Sequence, residues 1–118
     1  MYNNENIFAK ILRGEVSCDK IYEDQYVYCF EDINPQAPVH LLVIPKGPYT
    51  CYSDFVARAS SEEILAFFRA IEKITSIAKL DQNGYRLITN NGADADQLVP
   101  HFHFHILAGK KLGPKIVE

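Results

Sequence analysis

Hydrophobic and polar positions change period several times along this chain, and each change marks an element. Residues 5 to 13 place Ile7, Phe8, Ile11 and Leu12 at helical spacing ahead of Gly14, which predicts a short amphipathic helix. Ile21 to Glu23 reads as a short strand turning at Asp24-Gln25. Tyr26 to Glu31, rich in aromatic and β-branched residues, reads as a second. Asn34-Pro35-Gln36-Ala37-Pro38 interrupts with turn chemistry. Val39 to Ile44 is apolar almost throughout, with His40 the exception, and predicts a third strand buried on both faces. Residues 49 to 59 lack a clear period and suggest a loop with one helical turn. Ser60 and Glu63 then form a capping box, and Ile64, Phe67, Phe68, Ile71, Ile74 and Ala78 recur at spacings of three and four. That is a long helix reaching toward Leu80. Asn83-Gly84 turns the chain into a fourth strand, Tyr85 to Thr89. A polar loop over 90–96 leads to a fifth, Val99 to Ala108.

Strands linked by short turns, with one long helix between the third and fourth, predict an α+β fold. The expectation is a five-stranded antiparallel sheet with that helix and a short N-terminal helix. One domain is expected over residues 6–114, with 1–5 and 115–118 loosely ordered.

Composition narrows the function classes. A length of 118 residues and a 47% hydrophobic content suit one globular domain with its own core. The net charge of −3, without a run of Lys and Arg, argues against a nucleic-acid partner, because phosphate backbones demand a basic face. No apolar stretch approaches the roughly 18 residues of a membrane span. The first residues lack the basic-then-apolar order of a signal peptide. Cys18, Cys29 and Cys51 are odd in number and widely spaced, which suggests neither a disulfide framework nor a zinc knuckle. A cytoplasmic location is the expectation.

The chemistry lies in His101-Phe102-His103-Phe104-His105-Ile106, which holds three of the chain's four histidines. In a strand these imidazoles share one face and the apolar residues the other. The phenylalanines serve a core; three titratable rings in a row do not. A bare surface face and a metal site are the blander readings. His40 offers a further imidazole, but His101 and His105 stand about 13 Å apart on an ideal strand at roughly 3.3 Å per residue, so they cannot meet one ion without a sharp bend. No metal and no cofactor are expected. Covalent catalysis on phosphorus uses such a row fully, with one ring as nucleophile and its neighbours as donors to phosphoryl oxygens and leaving group.

The His-φ-His-φ-His-φφ run at His101 to Leu107 resembles the signature of the histidine-triad (HIT) family. Two further segments are similar to its Hint-type branch: Asp32 to Lys46, and Ile7-Phe8-x-Lys10-Ile11-Leu12-x-Gly14-Glu15. The resemblance runs from about residue 6 to residue 108. It implies a nucleotide-binding hydrolase or transferase that cleaves purine nucleoside 5′-phosphoramidates or related adenylates through a nucleotidyl-histidine intermediate. It implies His103 as nucleophile, His101 as the ring hydrogen-bonded to the nucleophile's far nitrogen, His105 as the phosphate contact and His40 as a fourth ring beside them. Asp32 corresponds to the ribose-binding carboxylate. Ile7, Phe8, Ile11, Phe30 and Ile33 correspond to the base slot, although without the resemblance Ile7, Phe8, Ile11 and Phe30 read first as core, and Asp32 equally as a turn acceptor. Asn90 and Gln97 correspond to polar positions near the phosphate. The branch is usually homodimeric, with the two sheets made continuous.

Two positions depart from the pattern. Asp96 stands where the branch has glycine close to the phosphate, and Leu98 where it has a hydrogen-bonding serine. A carboxylate facing a phosphate at 4 Å is repelled by about 1 to 4 kcal/mol depending on screening. These changes leave open a second reading, a catalytically weak nucleotide-binding regulatory module.

Overall fold

An antiparallel sheet forms the middle layer of the molecule, which a computed structural model describes over residues 1–114. Its strands are β1 (Lys20–Glu23), β2 (Val27–Glu31), β3 (Val39–Pro45), β4 (Arg86–Ile88) and β5 (Phe104–Ala108), in the order β1-β2-β3-β5-β4. The helices are α1 (Ile7–Leu12), α2 (Tyr52–Arg58) and α3 (Ser61–Ile77).

The alternation of side chains along β3 divides the molecule in two. Leu41 and Val43 face one way with Val27, Cys29, Phe102 and Ile106, and pack with Phe55 of α2 and Phe67, Ala70, Ile71 and Ile74 of α3. Leu42 and Ile44 face the other way with Phe30, under Phe8 and Ile11 of α1. The strand is therefore buried on both sides, as its apolar run predicts. Register fixes what accompanies it. Leu42 pairs with Phe30 on one flank and with His105 on the other, so His105 shares the α1 face, while Ile106 opposite Leu41 shares the α3 face. The larger core is built on aromatic rings: Phe55 stacks on Phe102 at 4.6 Å between centroids, and Phe67 lies 5.1 Å from Phe102.

Local signals set the helix ends. Asn6 caps α1 by accepting from the Ala9 N–H, and Ser60 and Glu63 close the capping box of α3. α3 stops at Ile77 rather than near Leu80, because Lys79 takes a left-handed conformation (φ 59°) and Leu80–Gln82 tighten into a 3-10 turn.

Two further expectations are corrected. Residues 52–58 form a two-turn helix, not a single turn. Its supports are Asp54, which accepts from the Thr50 N–H, and Asn91, which accepts from the Ser53 N–H across 38 positions of chain. The fifth strand begins at Phe104, not Val99. Pro100 has no N–H for a ladder, and the Phe102 N–H turns to the Tyr49 carbonyl. Ahead of α1, an Asn3 turn accepts from the Glu5 and Asn6 N–H groups, and Arg13 donates to the Asn4 carbonyl. The expectation for residues 115–118 lies outside the described residues. Among the described residues, no helix is long and apolar enough to cross a membrane.

The aromatic core makes a test. Phe102→Ala is expected to lower the urea-unfolding free energy by about 3–5 kcal/mol, the range for emptying a buried ring site. Leu98→Ala, only four positions away but 85% exposed, is expected to stay within about 0.5 kcal/mol. Equal effects would contradict the assignment of Phe102 to the core.

Candidate active site

Four imidazoles converge on the α1 face of the sheet, and their partners assign the proton on each ring. The His103 Nδ1 lies 2.7 Å from the His101 carbonyl oxygen, which only accepts. Nδ1 of His103 therefore carries the proton, and Nε2 keeps its lone pair. The His101 Nε2 lies 2.8 Å from the Pro45 carbonyl, so it donates there, and its Nδ1 accepts from the Tyr2 hydroxyl. The His40 Nδ1 accepts from the Gln36 N–H at 2.9 Å, which puts the single proton of the neutral ring on Nε2. That N–H faces His105 Nδ1 at 2.9 Å and Asp32 Oδ2 at 3.3 Å. With Nδ1 accepting, His105 carries its proton on Nε2. The cluster thus offers a bare nitrogen on His103 beside an N–H on His105, with ring centroids 5.1 Å apart.

Burial keeps these rings neutral. His101 is fully buried, and burial pushes its pKa down to about 4, with His103 adding to the shift and the Pro45 carbonyl opposing it. His105 is also pushed to about 4, first by burial and then by the neighbouring His103 and His40. His103 and His40 are lowered by burial, against the opposing pull of the Asp32 carboxylate. Phe8 sets its edge against the His103 ring at 4.9 Å and 89°, so α1 roofs the cluster. Among the described residues, no buried side-chain nitrogen or oxygen lacks a hydrogen-bond partner. The free Nε2 of His103 is therefore a nitrogen that solvent reaches.

The structure brings His40, His103, His105 and Asp32 together as the sequence suggests, and changes the role of His101. The His101 carbonyl, not its ring, holds the far nitrogen of His103, and both ring nitrogens of His101 are occupied elsewhere. Asp32 is also a turn acceptor, taking the Asn34 N–H on Oδ1. Phe8, Ile11 and Phe30 are buried in the smaller core, whereas Ile7 is half-exposed and Ile33 is 91% exposed. Asn90 is half-buried. Gln97 is a staple: it accepts from the Gly92 N–H and donates to the Thr50 and Val99 carbonyls. Asp96 and Leu98 are exposed, and Asp96 takes a left-handed backbone (φ 62°). Sequence reasoning missed Tyr2, the Gln36 N–H and the Pro45 carbonyl. The last two are backbone groups and leave no residue signature.

Asp32, His40 and His105 place their ligand atoms within 4.8 Å of one another, the spacing of a candidate cation site. The proton positions do not fit one. A cation on His40 Nε2 moves the proton to Nδ1, where it meets the Gln36 N–H instead of the acceptor a metal-bound histidine needs.

A titration checks the neutral state. An unburied imidazole protonates near pH 6.5. The ring carbon protons of His101 and His105 are expected to hold their neutral NMR positions down to pH 5. Because their folded pKa values lie below the unfolded one, the unfolded chain binds the extra protons. Their contribution to stability is full above pH 6.5 and falls as pH drops toward 4. Titration of either ring near pH 6.5 would contradict the geometry.

Comparison with known proteins agrees with this constellation. The HIT domain model matches residues 13–112. An uncharacterized 13.2 kDa HIT-like protein of Azospirillum brasilense is 50% identical over 117 residues, spanning 99% of this chain and 96% of its own length. The purine nucleoside phosphoramidase of Escherichia coli K12 is 40% identical over 117 residues, spanning 97% and 95%. Among solved structures, a histidine triad protein from Clostridium difficile superimposes with a TM-score of 0.85 at 42% identity, covering 98% of this chain and 99% of that one. A HIT family hydrolase from Legionella pneumophila gives 0.86 at 35% identity, covering 92% and 96%. With the histidine row, the sheet that carries it and these matches in accord over nearly the whole length, the chain belongs to the HIT domain family.

Proposed function

We propose that the chain is a hydrolase or transferase of purine nucleoside 5′-phosphoramidates or related adenylates, working through a nucleotidyl-histidine intermediate on His103. The observation that carries this reading is the proton pattern: the His101 carbonyl takes the Nδ1 proton of His103 and leaves an accessible Nε2 lone pair. The phosphoramidase relative at 40% identity supports the substrate class.

His103 Nε2 attacks phosphorus, and the bond from phosphorus to the leaving nitrogen breaks. The leaving amine departs with a proton taken from water, while the His105 Nε2–H donates a hydrogen bond to a phosphoryl oxygen. As the bond forms, the His103 ring gains positive charge, and the His101 carbonyl at Nδ1 stabilises it. Water then attacks the phosphorus and gives up a proton to solvent, the N–P bond breaks, and His103 returns to its starting state with nucleoside monophosphate released. His40 holds His105 in the tautomer that points an N–H outward. Asp32 offers carboxylate oxygens to the ribose hydroxyls. Ile7 and Ile33 supply exposed apolar surface for the base, on a floor of Phe8, Ile11 and Phe30. Asn90, Asp96, Gln97 and Leu98 belong to the segment flanking the phosphate. Asp96 keeps the left-handed backbone that glycine would adopt, so this loop reaches its path without glycine. No metal or cofactor enters these steps.

His103→Ala is expected to lower turnover of adenosine 5′-phosphoramidate by on the order of 10³-fold or more, while AMP affinity by calorimetry stays within a few-fold. A wild-type rate in this variant would overturn the reading.

A homodimer joined through β4 completes the proposal. β4 is an edge strand of three residues, and Leu87 on it is 39% exposed. On α3, Leu65 and Phe68 are 50% and 42% exposed, an apolar face of the kind that associating surfaces bury. Sedimentation equilibrium at micromolar concentration is expected to give twice the chain mass, and Phe68→Glu is expected to shift it toward the monomer. A wild-type monomer would count against this arrangement.

A further inference from the structure

We propose that Tyr2 is a positioning residue for the His103 nucleophile, acting through the His101 side chain. The proposal rests on the reading that His103 attacks phosphorus.

The connection is continuous. The Tyr2 hydroxyl donates to His101 Nδ1 at 2.5 Å, and the Tyr2 ring sets against the His101 ring edge-on, with centroids 5.6 Å apart at 70°. His101 Nε2 donates to Pro45 at the end of β3. Both nitrogens of a fully buried ring are thereby anchored, one to the sheet and one to the segment ahead of α1. The carbonyl of the same residue receives the Nδ1 proton of His103. Residue 101 lies outside the ladder, which starts at Phe104, and the peptide bearing its carbonyl is held on the N–H side by Phe102 donating to the Tyr49 carbonyl. The anchored ring holds the other side of the residue.

The segment bearing Tyr2 is itself built. Asn3 accepts from Glu5 and from both the backbone and side chain of Asn6, and Arg13 donates to the Asn4 carbonyl. Tyr2 therefore reaches His101 from a folded turn linked to the cap of α1. Loss of the hydroxyl alone leaves a buried acceptor without its donor and the ring held by Pro45 alone, so the residue whose carbonyl meets His103 is held less firmly.

Tyr2→Phe separates this role from packing, because the phenyl ring keeps the contact. Two readouts are taken. Steady-state turnover of adenosine 5′-phosphoramidate is expected to show kcat lowered about tenfold with KM within twofold, since positioning of the nucleophile acts on the chemical step. In 1H–15N spectra of the imidazoles, His101 Nδ1 is expected to move toward the position of a nitrogen without a donor, and the His103 Nδ1 proton to exchange faster with solvent. Wild-type kcat together with unchanged exchange at His103 would overturn the proposal. Equal losses in kcat for Tyr2→Phe and a surface control such as Val56→Ala, 46% exposed on α2, would overturn it as well. If the unaltered protein turned over no phosphoramidate, the proposed function would fall. The His103 exchange rate would then decide alone whether Tyr2 governs that ring.

Discussion

The hydrogen bond from His103 Nδ1 to the His101 carbonyl is the constraint on which the site depends. A neutral imidazole has one proton, and whichever nitrogen loses it becomes the nucleophile. A carbonyl two residues upstream is free to accept only if the strand ladder has not claimed it. The chain meets that condition by delaying β5 until Phe104. Pro100 brings no donor, Phe102 sends its N–H to Tyr49, and the Thr89 hydroxyl takes the His103 carbonyl at 2.7 Å. The histidine row is thus half strand and half an irregular lead-in in which the Phe102 N–H and the His101 and His103 carbonyls each meet a specific partner. A regular strand from Val99 would have placed the rings on one face but left their tautomers unspecified.

The same segment serves the core. Phe102 stacks on Phe55 and contacts Phe67 on the α3 side, while its neighbours His101 and His103 lie under Phe8 on the α1 side. Burial of the phenylalanines therefore locks the azimuth of the imidazoles, and a shift of one residue in this pairing would exchange the faces. Stability and site geometry are one packing problem here, because β3 is buried on both sides and holds His40 in register with Leu107.

Legibility in the sequence followed the range of the interactions involved. The capping box at Ser60 and Glu63, the stripe of α3 and the apolar run of β3 are local patterns, and the structure agrees with them. α2 escaped because its support comes from Asn91, 38 positions distant. The late start of β5 was signalled by Pro100 but outweighed by the alternation that follows it. At the site, the identity of the rings was plain from their row, whereas their protons were not. Those depend on Gln36, Pro45 and the His101 carbonyl, all main-chain groups that any residue supplies, and on Tyr2 across 99 positions. Phe8, Ile11 and Phe30 read as core from their pattern and as a base slot only through the resemblance, and they pack in the smaller core. Gln97 makes its hydrogen bonds to the main chain, which the sequence did not foretell.

Four imidazoles in contact raise an electrostatic question that the fold answers by exclusion of water. If two adjacent rings were charged, their repulsion in a poorly solvated site would amount to several kcal/mol, and burial opposes the first charge as well. The four resting rings are neutral, so the charge at the site is that of the Asp32 carboxylate. What it presents is directional: one lone pair on His103 and one N–H on His105, side by side, with the Asp32 carboxylate behind His40. A cation would find a single usable ring lone pair beside the Asp32 carboxylate. A phosphoryl group would find a nucleophile for its phosphorus and a donor for its oxygen, and positive charge arises on His103 only as the bond to phosphorus forms. In the proposed reaction this arrangement would favour the transition state over the free site, because the charge that the His101 carbonyl stabilises would not exist until the bond to phosphorus forms.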